Sequence, residues 1–203
     1  MTEPEPLRSI RLTDPRALRA YAHPTRMALV GLLRREGPLT ATQASALVGE
    51  SVASCSFHLR QLAKYGLVQE AGGGRGREKP WLATAMTTSW EDAPADPAAA
   101  AATEALQLAI AERYLALTAR WIRERPQEPA EWQEAAQFGD SLLHLTAAEL
   151  AQLGEQFQQL MRPYLARLED PALRPEGSRP VSLLHLAFPV RPAPADVPKA
   201  QDS

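Results

Sequence analysis

Apolar and polar positions between residues 51 and 68 alternate with the period of an amphipathic helix. Four apolar residues recur at helical spacing on one narrow stripe: Val52, Cys55, Leu59 and Leu62. Polar and cationic side chains cover the remaining surface. Ser51 can cap the start of the helix, and Gly66 can end it in a left-handed conformation. The pattern predicts a helix over residues 51–65 that docks on a small core by one side only.

Three shorter helices are predicted before this one. Asp14-Pro15 and His23-Pro24 each place a proline where a helix starts. Thr40 and Gln43 match a capping box, which predicts a third helix over Ala41–Val48. Two short helices joined by a glycine-containing turn, with a polar outer face on the second, form a helix-turn-helix arrangement. The first dozen residues are predicted to be a loose arm.

Two short strands are predicted next, over residues 67–70 and 79–84. Their connector contains four glycines and two arginines, Arg75 and Arg77. Glycine permits close approach of the backbone, and the guanidinium groups can meet phosphates or a narrow minor groove. A nucleotide-binding loop is the weaker interpretation, because the connector joins two strands and lacks the spacings of phosphate-binding glycine motifs. The segment is predicted to be the wing of a winged helix.

A long helix over residues 98–124 follows an acidic, proline-bearing linker. Its coiled-coil-like seam consists of Leu106, Ile110, Tyr114, Leu117 and Trp121, and Leu108, Leu115 and Ile122 widen that seam. A helix that is apolar over so much of its circumference must bury two sides. We expect one side to pack on its own chain and the other on a second copy, in a homodimer.

Helices and strands are predicted to alternate in the rest of the chain. A short helix contains Trp132, and a capping box at Thr146 and Glu149 opens a longer helix. The inward face of the longer helix is predicted to comprise Leu150, Leu153, Phe157, Leu160, Met161, Tyr164 and Leu168. Residues 138–145 and 181–188 are predicted strands. Both contain Ser-Leu-Leu-His-Leu, which favours adjacent positions in one small sheet.

The predicted fold class is mainly α with a small β content. A winged helix-turn-helix domain is predicted at residues 1–90, a helical C-terminal domain with a small two-stranded sheet at 91–190, and a disordered tail at 191–203. Residues 1–90 hold 12 Lys and Arg against 7 Asp and Glu, whereas the remainder holds 10 against 17. The basic half can therefore approach phosphates.

The composition also bears on the compartment of the protein. A single cysteine excludes a disulfide within the chain. The sequence has no apolar run long enough to span a membrane, and its first residues lack the pattern of a secretory signal. We expect a cytoplasmic protein without a membrane partner.

Candidate chemistry in the acidic half is limited. Six aromatic residues are candidates for a small-molecule effector pocket, although such residues are more often plain core: Tyr114, Trp121, Trp132, Phe138, Phe157 and Tyr164. His144 and His185 occupy equivalent positions of the repeated pentapeptide, but chance similarity explains them more simply than a metal or pH-sensitive site. No nucleophile with an adjacent base stands out, so neither an enzyme nor a cofactor is predicted.

A family resemblance is carried by four stretches within residues 14–86. They are Ala22-His-Pro-Thr-Arg26, Thr40-Ala-Thr-Gln-Ala-Ser-Ala-Leu-Val48, Ser56-Phe-His-Leu-Arg-Gln-Leu-Ala-Lys-Tyr-Gly-Leu-Val68 and Gly72-Gly-Gly-Arg-Gly-Arg77. Together they resemble the winged helix-turn-helix domain of ArsR-type bacterial transcriptional regulators, in the actinobacterial subset with a long C-terminal extension. The resemblance implies a homodimer, more often a repressor than an activator, that binds a roughly palindromic operator in double-stranded DNA.

The resemblance does not extend to metal sensing. The metal-sensing branch has a Cys-x-Cys pair in the helix before the recognition helix, whereas this chain has Thr42, Gln43 and Ala44 there. Cys55 lies on the apolar stripe and is predicted to be a small core residue. No metal site is therefore predicted.

The predicted DNA-binding residues lie on the helix over residues 51–65 and in the wing. Those expected to face base edges are Ser54, Ser56, Phe57 and His58; those expected to hold phosphates or the minor groove are Arg60, Lys64, Arg75 and Arg77; Ser51 and Gln61 complete the set. The sequence predicts a sequence-specific DNA-binding transcriptional regulator that forms a homodimer; the resemblance implies a repressor, and a small-molecule effector is a candidate partner. The alternative is a winged-helix protein-interaction module without DNA binding.

Overall fold

The computed structural model describes residues 8–72 and 79–190 of the chain. Four helices dominate its first half: α1 Pro15–Tyr21, α2 Pro24–Glu36, α3 Ala41–Val48 and α4 Val52–Lys64. α1 and α2 both have a proline in the first turn, and the Asp14 carboxylate accepts a hydrogen bond from the backbone N–H of Arg16 at 2.8 Å. The structure confirms the four predicted helices. They could be predicted because their proline and capping signals are local in the sequence.

Four short strands form two small sheets beside these helices: β1 Ser9–Leu12, β2 Val68–Glu70, β3 Trp81–Ala83 and β4 Thr87–Trp90. β2 and β3 pair antiparallel, with Glu70 opposite Trp81, which confirms the predicted wing strands. Trp81 also exchanges two backbone hydrogen bonds with Leu39, at 2.8 and 3.0 Å. The hairpin is thereby anchored to the segment that leads into α3.

The prediction of a loose arm is wrong for residues 9–12, which form β1, and residues 1–7 of that arm lie outside the described residues. β1 pairs parallel with β4, from Ser9 opposite Thr87 to Leu12 opposite Trp90. The Leu12 side chain is buried in the core. Parallel strands need a crossover connection and therefore a partner far away in the chain. Four residues show too short an alternation to reveal that partner locally.

The core of the first half lies where α2 and α4 meet. Leu29 and Val30 of α2 are fully buried, and so are Leu59 and Leu62 of α4. Complete burial of an aliphatic side chain contributes about 1.5–3 kcal/mol relative to exposure. The contact between these two helices is therefore a main source of stability in this half.

Arg34 connects the end of α2 to the strand side of the domain. Its Nε donates to the backbone carbonyl oxygen of Ala85 at 2.8 Å, and its Nη2 donates to Thr88 Oγ1 at 2.6 Å. Burial of the guanidinium lowers the pKa of Arg34, and the neighbouring Tyr21 opposes that effect. Since a guanidinium keeps its charge far above neutral pH, both hydrogen bonds are charge-assisted and strong.

Three helices follow in the second half: α5 Pro97–Glu124, α6 Ala130–Ala135 and α7 Ala147–Glu169. All three were predicted, including Trp132 within α6 and the capping box at the start of α7. There Thr146 Oγ1 accepts from the Glu149 N–H at 3.2 Å, and the Glu149 carboxylate accepts from the Thr146 N–H at 2.7 Å. Among the described residues, no helix is both long enough and apolar enough to cross a membrane.

The first turns of α5 pack into the core of the winged helix. Ala102 and Leu106 are fully buried in the same cluster as residues of α1, α2 and α4. Farther along the same helix, Leu108, Leu115 and Ile122 are more than half exposed. A domain boundary at residue 90 stays a prediction, but apolar packing runs across that point.

The two predicted C-terminal strands are wrong. Residues 138–145 and 181–188 adopt neither helix nor strand, and all of them are exposed. Both sheets are formed instead by strands of the N-terminal half, β1 with β4 and β2 with β3. The fold class, mainly α with a small β content, is confirmed. An isolated pair of strands is marginally stable unless a core surface lies beneath it. Apolar alternation supplies no such surface.

α7 also departs from its prediction. None of its seven predicted inward residues is buried: Leu150, Leu153, Phe157, Leu160, Met161, Tyr164 and Leu168. Leu160 and Tyr164 are 67% and 52% exposed. The helical period was predicted correctly, but within the described residues the chain covers this face only in part, at Leu150, Phe157 and Met161.

Leu106→Ala is expected to lower the free energy of unfolding by about 2–5 kcal/mol, because it opens a cavity where α5 joins the N-terminal core. Urea denaturation followed by circular dichroism measures the change. The matched control is Leu142→Ala, at a position that is 79% exposed, where a change within about 0.5 kcal/mol is expected. Equal losses in the two variants would show that α5 does not contribute to this core.

Candidate nucleic-acid interface

The orientation of α4 is set by capped ends and a tight turn. Thr40 Oγ1 accepts from the Gln43 N–H at 3.2 Å, and Gln43 Oε1 accepts from the Thr40 N–H at 2.8 Å, so the predicted capping box of α3 is confirmed. Gly49 ends α3 with a φ of 73°, in the left-handed region that favours glycine. Two residues later, Ser51 Oγ accepts from the Ser54 N–H at 3.1 Å and starts α4.

The buried side of α4 is narrower than predicted. Cys55, Leu59 and Leu62 are fully buried, whereas Val52, which the sequence placed on the same stripe, is 43% exposed. Val52 is the first residue of α4 and precedes Cys55, the first residue of that helix that is buried. Sequence period alone could not reveal where the supporting surface ends.

A continuous exposed face lies on the opposite side of α4. Ala53, Phe57, Arg60 and Lys64 follow one another at helical spacing, and all four are exposed. Three of them were predicted to contact DNA. Ala53 was missed because it lacks a polar group, although its spacing from Phe57 was a usable signal. The face begins with small and flat side chains and ends with two cations.

One flank of α4 turns toward the N-terminus of α2. Ser54, His58 and Gln61 are half buried. The His58 ring lies 4.6 Å from the ring of His23, centroid to centroid, and 5.3 Å from that of Phe57. His58 was expected to face base edges, whereas the structure packs its ring against α2.

The remaining predicted contacts are placed as follows. Ser51 is exposed beside the turn, and Ser56 is half buried. Arg75 and Arg77 lie outside the described residues. The base of the wing is closed by Lys79 and Glu70, whose Nζ and Oε2 are 2.6 Å apart. The hairpin strand β2 follows the C-terminal end of α4, where the exposed face ends with Lys64.

Within the described residues, no ring contact joins any two of the six aromatic residues proposed for an effector pocket. None of them belongs to the buried core, and Phe138 is 74% exposed. Phe157 stacks on His185 with ring centroids 4.3 Å apart. The Arg179 guanidinium lies over the Trp132 ring, with its Cζ 4.9 Å from the ring centroid. These two contacts involve different partners, and an effector pocket at the six aromatic residues stays a prediction.

A cleft of about 300 Å³ opens elsewhere, between the end of α2, the wing strand β3 and the end of α7. Leu33, Leu82 and Leu168 are among its apolar walls, and Arg35 and Arg174 line it as well. Sequence reasoning gave no signal for this cleft, because its walls come from three segments far apart in the chain.

The one cysteine has no metal-binding surroundings. Burial, with a smaller contribution from Glu50, raises the pKa of the Cys55 thiol, so the reactive thiolate is disfavoured. Across the described part of the chain, no three His, Cys, Asp or Glu side chains are grouped to hold a metal ion. The core position predicted for Cys55 is confirmed.

Comparison with known families supports the helix-turn-helix reading. Residues 21–70 match a family model described as a helix-turn-helix domain. The match starts at the last residue of α1 and ends with β2, so it contains α2, α3 and α4 but neither α5 nor the C-terminal segments. No curated protein matches the chain. The chain therefore contains a helix-turn-helix domain, and its assignment to ArsR-type regulators remains a resemblance.

Ser51→Ala is expected to lower the free energy of unfolding by about 1 kcal/mol, because it removes the side-chain cap of α4. Urea denaturation monitored by circular dichroism measures this loss. Ser51→Asn is the matched control, since asparagine caps about as well as serine, and it is expected to retain wild-type stability. A loss of the same size in both variants would argue against the capping role.

Proposed function

We propose that the chain is a sequence-specific DNA-binding transcriptional regulator, acting as a cytoplasmic homodimer and without enzymatic activity. The observation that carries this proposal is the exposed face of α4, opposite its buried stripe. A helix-turn-helix domain that presents such a face, with a hairpin next to it, has the arrangement of a major-groove reader. Repression is the mode that the resemblance to ArsR-type regulators favours.

The dimensions of the exposed face suit a major groove. From Ala53 to Lys64 the helix rises roughly 16 Å at about 1.5 Å per residue, whereas the groove is about 12 Å wide. If the first turns enter the groove, Arg60 and Lys64 reach its phosphate edge. Ala53 and Phe57 then face the bases, where apolar groups can contact thymine methyls.

Charge on α4 agrees with this orientation. Arg60 and Lys64 are exposed, and no ion pair joins either of them to a carboxylate among the described residues. Lys64 Nζ lies 5.6 Å from the centroid of the Tyr65 ring. Both cations are therefore available to replace counterions along a phosphate backbone.

The exposed apolar residues of α5 support the homodimer. Leu108, Leu115 and Ile122 are 58%, 69% and 51% exposed and lie seven residues apart. A seven-residue apolar repeat is the pattern of a helix that pairs with another helix. The start of α5 is already buried in the winged helix, so a second copy paired along its free part would couple two α4 helices. Operator half-sites then lie about 34–36 Å apart.

A protein-interaction module without DNA binding is the alternative function. The exposed hydrophobic Phe57, half of whose surface is accessible, would suit a protein partner as well as a base. Anisotropy of a labelled random duplex at low salt distinguishes the two functions. A flat signal up to high protein concentration would favour the interaction module.

Arg60→Ala and Lys64→Ala are each expected to weaken binding to all DNA sequences alike. Each should reduce the slope of log K against log salt by about 0.9, because one phosphate contact is lost. Fluorescence anisotropy between about 50 and 200 mM salt measures the slope. Arg123→Ala, which removes an exposed cation of α5, is the control and should leave the slope unchanged.

Phe57→Ala provides the contrast to these variants, because it removes a side chain without charge. It is expected to alter sequence preference while preserving the salt slope. Selection of bound sequences from genomic fragments, with wild type and variant compared, measures the preference. If Arg60→Ala and Lys64→Ala retained the wild-type affinity and slope, α4 would not be the DNA-binding surface.

Leu115→Glu is expected to raise the dimer dissociation constant by tenfold or more, roughly, because it places a carboxylate without a partner in an apolar interface. Sedimentation equilibrium measures that constant. Leu47→Glu replaces a leucine of similar exposure, 59%, on α3, and it should leave dimerisation unchanged. A monomeric wild type at micromolar concentration in small-angle scattering would contradict the homodimer.

A further inference from the structure

Two histidines meet where the proposed recognition helix rests on α2. His23 is the N-cap residue of α2, and His58 lies in the middle of α4. Their ring centroids are 4.6 Å apart, with the ring planes tilted by 40°. The Nδ1 atoms of both rings are enclosed and have no hydrogen-bond partner within the described part of the chain, and neither has the Nε of Arg26. An enclosed nitrogen without a partner favours the uncharged imidazole, because a charged ring there would be poorly solvated.

The charges around the pair act in the same direction, with one exception. Burial is the largest cause that lowers the pKa of His23 and of His58, and the nearby Arg26 lowers both further. The Glu50 carboxylate, in the turn between α3 and α4, opposes this effect. It also accepts a hydrogen bond from Thr25 Oγ1 at 3.2 Å.

Arg26 itself is held by α1 and stands near the end of α4. Its Nη2 donates to the Arg19 carbonyl oxygen at 3.5 Å. Tyr65, at the C-terminus of α4, interacts with it electrostatically, and Cys55 is the other titratable group next to Glu50. The Glu50 carboxylate therefore faces two imidazoles that also lie near the Arg26 guanidinium, which leaves little compensation for a second cation.

We propose that the contact between His23 and His58 is a pH-sensitive latch that seats the recognition helix on α2 while both rings are neutral. Protonation of either ring adds a second cation beside Arg26, at a contact from which water is partly excluded. The repulsion weakens the packing of α4 on α2. Acid should then lower both the stability of the winged helix and its affinity for DNA. The second consequence rests on the proposed function, and the first does not.

The direction of the pH effect follows from the lowered pKa values. An imidazole whose pKa is lower in the folded chain binds its proton more weakly there than in the unfolded chain. Its contribution to stability is complete above the ordinary value of 6.5. The contribution is lost as the pH falls from that value toward the lowered one of the folded state. Each pKa unit of lowering corresponds to a tenfold change in the folding equilibrium, to within about a factor of two.

The experiment compares the wild type with the double variant His23→Phe, His58→Phe, which keeps two rings at the contact but removes both titrating groups. The melting temperature is measured between about pH 7.5 and about pH 5.5, the range in which histidine changes charge. The wild type is expected to lose at least about 2 °C more than the double variant over this range. His144→Gln is the control, since His144 lies in an exposed segment outside the cluster, and it should behave as the wild type.

Two further measurements test the latch, and the first of them needs only the wild type, so it applies even if the double variant does not fold. NMR titration of the wild-type imidazole signals is expected to give midpoints below 6.5 for His23 and His58, and midpoints at or above that value would overturn the latch. Anisotropy on duplex DNA is expected to show affinity that falls with acid in the wild type and not in the double variant. Affinity that rises with acid would overturn it too.

The outcomes separate this inference from the proposed function. If the wild type binds no DNA at either pH but shows the expected loss of melting temperature, the latch stands and the DNA-binding proposal fails. If melting curves of the wild type and the double variant respond to pH identically, the latch fails whatever the protein binds.

Discussion

The structure depends above all on the apolar contact between α2 and α4. Leu59 and Leu62 are removed from water against α2, and Cys55 is buried with them. Because one side of α4 is held in this way, the opposite side must face solvent, and its residues are free to contact a ligand. The contact thus determines both the stability of the N-terminal half and the surface it presents.

Local hydrogen bonds give that contact its geometry. The capping box of α3, the left-handed Gly49 and the cap at Ser51 leave only a short turn between the two helices. A short turn restricts the directions in which α4 can leave α3, and apolar packing then selects one of them. The same packing encloses the Nδ1 atoms of His23 and His58. The contact that holds α4 on α2 is therefore also the contact that we propose to be sensitive to pH.

The C-terminal half presents the opposite situation. Its helices have the expected period, yet α7 has no buried residue among the side chains that the structure describes, and the segments around Leu142 and Leu184 are exposed. Contiguous apolar surface on this scale is typical of chains that assemble with another molecule. The seven-residue spacing on α5 favours a second copy of the chain, since identical helices with such a repeat can pair with each other.

The sequence by itself determined the elements whose signals are local. Proline and capping residues marked the starts of α1, α2, α3 and α7, and glycine marked the end of α3, because these groups act on backbone atoms within a few residues of themselves. It also identified Phe57, Arg60 and Lys64 as an outward face, since the period of a helix separates its two sides. The helices of the helix-turn-helix domain could be predicted from such signals.

Only the tertiary structure decided what depends on partners distant in the chain. It paired β1 with β4, and it turned His58 toward His23 and exposed Val52. Residues 138–145 and 181–188, which were predicted to be strands, form no strand pairs. Apolar alternation states that a side chain prefers burial but not which surface will cover it. A strand or a buried face forms only where another part of the chain, or another molecule, supplies that surface.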